Sequence, residues 1–114
     1  MPVISFGKGV EDDWFVARWA FRGLLKRTLE LSHDVDAQEK LGVALAVDGL
    51  HFPDMAPGLV AKIAPALRKA IGDITSGDYK VEVEGRVLDD VSQAQFRNAV
   101  RALEPLVLRC LAGQ

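Results

Sequence analysis

Residues 10–31 read VEDDWFVARWAFRGLLKRTLEL. Val10, Trp14, Ala17, Phe21, Leu24, Thr28 and Leu31 recur there in alternating steps of four and three, the spacing of one face of an α-helix. One long amphipathic helix is expected over Val10 to Leu31. Phe15 and Trp19 fall off that stripe, about 100° and 140° from Trp14, on a side shared with Arg22 and Lys26. The helix then has a second, aromatic-basic face, which another part of the fold, a partner, or nothing covers.

The flanks extend this reading. Val3 to Phe6 is a short β-prone run closed by Gly7-Lys8-Gly9, so a strand and a turn precede the helix. Glu11, Asp12 and Asp13 suit the positive end of the helix dipole, and Arg18, Arg22, Lys26 and Arg27 follow them toward the negative end. The helix is expected to stop near Ser32 to Asp34.

Residues 37–51 carry two signals. Leu41, Val43, Leu45 and Val47 alternate with Gly42, Ala44 and Ala46, which is a strand's period of two; the preceding AQEK and the three alanines favour helix. Helix is the preferred assignment, and being apolar nearly all round it is expected to be buried. Asp54 is a candidate N-cap for a third helix, which carries Val60, Ile63, Leu67, Ala70 and Ile74 inward with Pro65 on the solvent side.

Tyr79, Val81, Val83 and Val87 alternate with Lys80, Glu82, Glu84 and Arg86, so 79–88 reads as a half-wet strand or a tight hairpin about Gly85. Ser92-Gln93-Ala94-Gln95 has capping-box spacing. It opens a last helix with Phe96, Val100, Leu103, Val107 and Cys110 inward, ending at Gly113. The expected fold class is α+β: a mostly helical single domain over 1–114, about four helices, and a short N-terminal strand pairing with 79–88, since a lone strand leaves its backbone groups unsatisfied.

Composition bounds the function. With 49% hydrophobic residues among 114, the chain can bury a core without staples. Basic and acidic residues number 14 and 16, and each third is neutral or within one charge of it, which gives no support to nucleic acid or to an anionic membrane. The N-terminus lacks the pattern of a signal or transit peptide, and no apolar run reaches membrane-spanning length. Cys110 is the only cysteine and has no internal disulfide partner. A soluble cytoplasmic protein is expected.

Candidate chemistry is sparse. Glu11, Asp12 and Asp13 would repel a phosphate at the Gly7-Lys8-Gly9 turn, and Walker spacing is absent. His33, Asp34, Asp36, His51 and Asp54 are the residues with metal-ligand chemistry, and a metal-dependent hydrolase built on them is the alternative function. Their plainer roles are helix caps at Asp34 or Asp36 and a cation at a helix C-terminus for His33. Cys110 continues an apolar stripe and is expected to be buried and inert. Glu82, Glu84, Asp89 and Asp90 read as solvated charges and helix-start signals, and the region around Ser92 to Leu103 is too acidic for a DNA-reading helix.

Phe15, Trp19, Arg22 and Lys26 therefore remain as the candidate site. Trp and Arg are enriched at interface hot spots. The expected function is binding of a protein partner, or self-association, through that side of the first helix, with no cofactor, metal or catalytic residue assigned and an enzyme role disfavoured.

Overall fold

Val3–Ser5 form β1 and Asp13–Phe15 form β2, separated by a 3-10 turn at Val10–Asp12. The computed structural model describes residues 1–111. β1 and β2 run antiparallel with Ile4 opposite Trp14. Trp14 and Val16 are buried while Phe15, between them, is 54% exposed, so a strand's alternation governs a segment that also carries helical spacing. The first helix, α1, accordingly spans Arg18–Leu31. Val10, expected on its buried stripe, is 79% exposed. Starting at Arg18 also moves the dipole argument: no acid lies in the first turn, and the basic residue there is offset by an Arg18–Asp48 ion pair of 2.7 Å.

α2 spans Val35–Val47, with Asp34 as N-cap accepting from the Ala37 N–H. It ends at Asp48, whose φ of 57° is left-handed, and Gly49–His51 then form β3. The helical assignment of this segment holds to Val47, and its last residues are a strand. Only Ala37, Leu41 and Ala44 of α2 are buried; Val43 and Val47 face outward at 50% and 67% exposure. The expected all-round burial is thus corrected, because α2 lies on the flank of the core and covers it with one face.

β3 adds to β1 in parallel, with Ile4 beside Leu50, giving the sheet order β2-β1-β3. The N-terminal strand therefore pairs with β2 on one side and β3 on the other and not with 79–88, which corrects that expectation. The inner face of this sheet is Ile4, Trp14 and Leu50, all buried.

α3 is one continuous helix, Pro57–Thr75, with Pro65 inside it and exposed. Its N-cap is Ala56, with Pro57 in the first turn; Asp54 belongs to a 3-10 turn before it and does not cap. α1 and α3 pack along each other, α2 and α4 (Asp90–Arg101) flank them, and the core between them holds Phe21, Leu24, Ile63, Leu67 and Phe96. Full burial of such side chains is worth about 1.5–3 kcal/mol each.

Residues 79–88 lead from α3 to α4 as a ribbon. Glu82–Val83 (β4) and Arg86–Val87 (β5) pair antiparallel around Glu84 and Gly85, both at positive φ, 52° and 79°, the geometry of a two-residue type I′ hairpin. The hairpin about Gly85 is the form taken. Asp89 caps α4 by accepting from the Ser92 N–H at 2.8 Å; the capping box at Ser92 is not used.

The last helix is broken. α4 ends at Arg101 and a separate α5 spans Glu104–Cys110 with Pro105 in its first turn. Proline offers no N–H to the Arg101 carbonyl, and the chain tightens to three-residue bonds, Leu103 N–H to Val100 O and Leu106 N–H to Leu103 O. Four helices of twelve or more residues and a seven-residue fifth make the α+β class. Gly113, the expected helix end, lies outside the described residues.

Candidate functional site

Along α1, Arg18, Trp19, Arg22, Gly23 and Lys26 face the hairpin residues Glu82, Val83 and Glu84 across a groove of about 620 Å³. Steps of four, at 18, 22 and 26, put the three cations on one side of the helix at one-turn intervals. Trp19 beside them is half-buried, its ring tilted 45° against Phe96 at a 6.0 Å centroid distance.

Gly23 sets the depth of the groove. A Cβ there would stand 2.7 Å from Val81 Cγ2 and 3.1 Å from Phe96 Cζ, both fully buried residues, so a glycine lets the chain carrying the hairpin lie directly on α1. Val81 is held from the other side by Gln93: its N–H donates to Gln93 Oε1 at 2.9 Å, and Gln93 Nε2 donates to the Val81 carbonyl at 2.9 Å. Upstream, the Tyr79 N–H donates to the Asp73 carbonyl at 3.1 Å. The Tyr79 ring stacks under the Arg27 guanidinium, 5.2 Å from Cζ, while Arg27 bonds Asp73 through Nε and Nη2 at 3.1 and 2.7 Å. Burial and the Glu30 carboxylate raise the Tyr79 pKa, against the opposing effect of Arg27.

The walls carry opposite charge. Arg18 is engaged by Asp48, and Arg22 donates to the Leu45 carbonyl at 3.3 Å in the last turn of α2, where cations are favoured. Both arginines thus tie α1 to α2 while lining the groove. Lys26 is exposed and, among the described residues, makes no hydrogen bond or ion pair; neither Glu82 nor Glu84 pairs with a cation across the opening.

Of the sequence-derived candidates, Trp19, Arg22 and Lys26 come together here. Phe15 does not line the groove; it lies on β2, on the outer face of the three-stranded sheet, opposite Val3. Its assignment to a helix face is corrected, because the helix begins three residues after it. Sequence reasoning read the hairpin about Gly85 but missed Gly23 and the packing of the hairpin against α1, which is tertiary. Arg18 was visible as the first member of the four-residue spacing.

The histidine clusters are dispersed. Asp34 is occupied as the cap of α2 and pairs with Lys62 at 3.1 Å, with Asp36 at 3.8 Å from the same amine. His51 Nδ1 lies 3.2 Å from Ser5 Oγ, and His33 is exposed beyond α1. Among the described residues no three His, Cys, Asp or Glu side chains gather to hold a metal ion. Cys110 is half-buried. Burial and the Asp12 carboxylate push its thiol pKa up, which works against a reactive thiolate. No helix among the described residues is long and apolar enough to cross a membrane.

No protein-family model, no curated protein and no solved structure matches this chain.

Proposed function

We propose that the protein works by binding a partner polypeptide in the groove between α1 and the β4–β5 hairpin. The single observation that carries this reading is the pair of facing, oppositely charged walls, Arg22 and Lys26 against Glu82 and Glu84, with Lys26 and both carboxylates unpaired across an opening beside a half-buried tryptophan. Charge placed this way selects a complementary partner and accelerates encounter, and a tryptophan supplies rigid contact area. A cytoplasmic setting belongs to the same reading, supported by the lone thiol of Cys110.

Native mass spectrometry of the protein from its own cells tests this. Added mass of another polypeptide, present with the wild type and with Val43→Ser but lost with Lys26→Glu, is the expected result. A second copy of this chain in place of a different polypeptide would change the partner to self, and a complex indifferent to Lys26→Glu would remove the groove from the interface.

A further inference from the structure

The three-stranded sheet packs one face on the core and leaves the other open. Strand alternation turns Ile4, Trp14 and Leu50 inward, so the outer face carries two rows fixed by the register: Phe15, Val3 and Gly49 across β2, β1 and β3, and then Asp13, Ser5 and His51. Phe15 and His51 are exposed and the other four are half-buried. Among the described residues the Asp13 carboxylate has no hydrogen bond or ion pair. His51 faces Ser5 through Nδ1, at 3.2 Å from Oγ, and its Nε2 has no partner among the described residues.

These two rows are complementary to themselves. When a second copy is turned face to face about a two-fold axis along β1, its β3 lies over the β2 of the first and its β1 over β1. The register then sets Phe15 over Gly49 of the second copy and Asp13 over His51 of the second copy, while Val3 and Ser5 meet their own counterparts. Packed sheets stand about 10 Å apart, a gap that a phenylalanine fills when the residue opposite is a glycine. The carboxylate of Asp13 only accepts, and the imidazole Nε2 opposite it can donate. An axis across the strands would instead set Phe15 over Asp13 and Val3 over Ser5, apolar on polar throughout.

We infer that this sheet face is a homodimer interface, with two copies packed sheet on sheet about an axis along β1 and with Phe15–Gly49 and Asp13–His51 contacts each formed twice between the copies. Val3 is at the centre, and the Asp13–His51 contacts fall on the edge strands, where a polar rim belongs. A standard interface takes about 20–30 residues a side, so a face of this size gives a weak dimer that forms at high concentration. The face is separate from the groove between α1 and the hairpin, and self-association here leaves the groove free for a different polypeptide.

Sedimentation equilibrium of the purified full chain, taken to about 1 mM, where even a weak dimer is populated, tests this. Phe15→Ser, Asp13→Lys and His51→Glu are each expected to weaken dimerisation about tenfold while amide spectra keep the native pattern, and Lys26→Glu is expected to leave it unchanged. The deciding sample is the mixture of Asp13→Lys with His51→Glu. Each of these chains sets like charges or two acceptors against its own copy, whereas together they form one lysine–glutamate and one aspartate–histidine contact, so a mixed dimer at least as tight as the wild type is expected. A wild type that stays monomeric at that concentration, a dimer lost on Lys26→Glu, or folded variants that fail to associate with each other would overturn the inference. So would a photo-crosslinker at Phe15 that captures a different polypeptide in cells while the purified chain remains monomeric, which would give the face to another partner.

Discussion

Gln93 pairs with both main-chain groups of Val81, accepting from its N–H at 2.9 Å and donating to its carbonyl at 2.9 Å. A side-chain amide thus does what a neighbouring strand would do for a buried residue of the connection between α3 and the hairpin. Both residues are buried, and no water can replace the partner if it is removed.

Gln93→Leu is therefore expected to destabilise the fold by about 2–4 kcal/mol, the cost of orphaning a buried donor and weakening the satisfaction of a buried acceptor. Urea unfolding checks the magnitude, and amide exchange at Val81 should quicken by more than at Leu67 in α3. An unchanged urea midpoint would mean that Val81 is held by other contacts.

Gly23→Ala removes a flexible residue from a helix, worth about 1 kcal/mol in favour of the variant. It also drives a methyl against Val81 Cγ2 and Phe96 Cζ at 2.7 and 3.1 Å, where overpacking costs about 1–3 kcal/mol. Net destabilisation, with shifted resonances for Val83 and Glu84, is the expected outcome of denaturation and NMR. A more stable variant with an unmoved hairpin would show that the close approach is not tight.

Trp14 anchors β2 to α4 through its indole N–H, which donates to the Ala99 carbonyl at 3.0 Å. That carbonyl is in the last turn of the helix, where four acceptors lack assured intrahelical partners. Trp14→Phe keeps most of the buried ring and loses the bond, so it should cost about 1 kcal/mol in urea unfolding. A loss no greater than experimental error would mean that the carbonyl finds another donor.

Three carboxyls make the fold acid-sensitive. Asp12 is held below its ordinary pKa by hydrogen bonding to Arg109, Asp34 by the Ala37 N–H and then Lys62, and Asp89 by the Ser92 N–H. Because their folded values lie below the unfolded ones, their contribution is complete above about pH 4 and is lost as pH falls through the lower folded values. The urea midpoint should be flat from pH 7 to about 5 and should fall below about 4. Asp34→Ala should flatten the fall, and a variant as acid-sensitive as the wild type would exclude this carboxylate as a source.

The helices were legible where spacing was sustained, as were the first strand and the hairpin, but the partners of that strand in the three-stranded sheet were not. Ile63, Leu67 and Ile74 kept α3 readable through Pro65, an exposed position where the solvent side tolerates the missing bond. Trp14, by contrast, satisfies both a helical step from Val10 and the strand alternation Trp14-Phe15-Val16, and only its pairing with Ile4 chooses between them. Asp48 ends α2 by a left-handed turn, a conformation that the run of alternating aliphatic residues does not announce. Trp19, Arg22 and Lys26 were found from helical periodicity alone, and the wall opposite them came only from Gly23, Val81 and Gln93 in three dimensions.

A photo-crosslinking residue at Val83 in the protein expressed in its own cells tests the groove most directly. If the groove is the interface, ultraviolet light yields one discrete adduct with another polypeptide, absent with Lys26→Glu and absent when the crosslinker sits at Val43 on the exposed side of α2. No adduct at Val83, or an adduct of equal yield with Lys26→Glu, would contradict polypeptide binding in the groove.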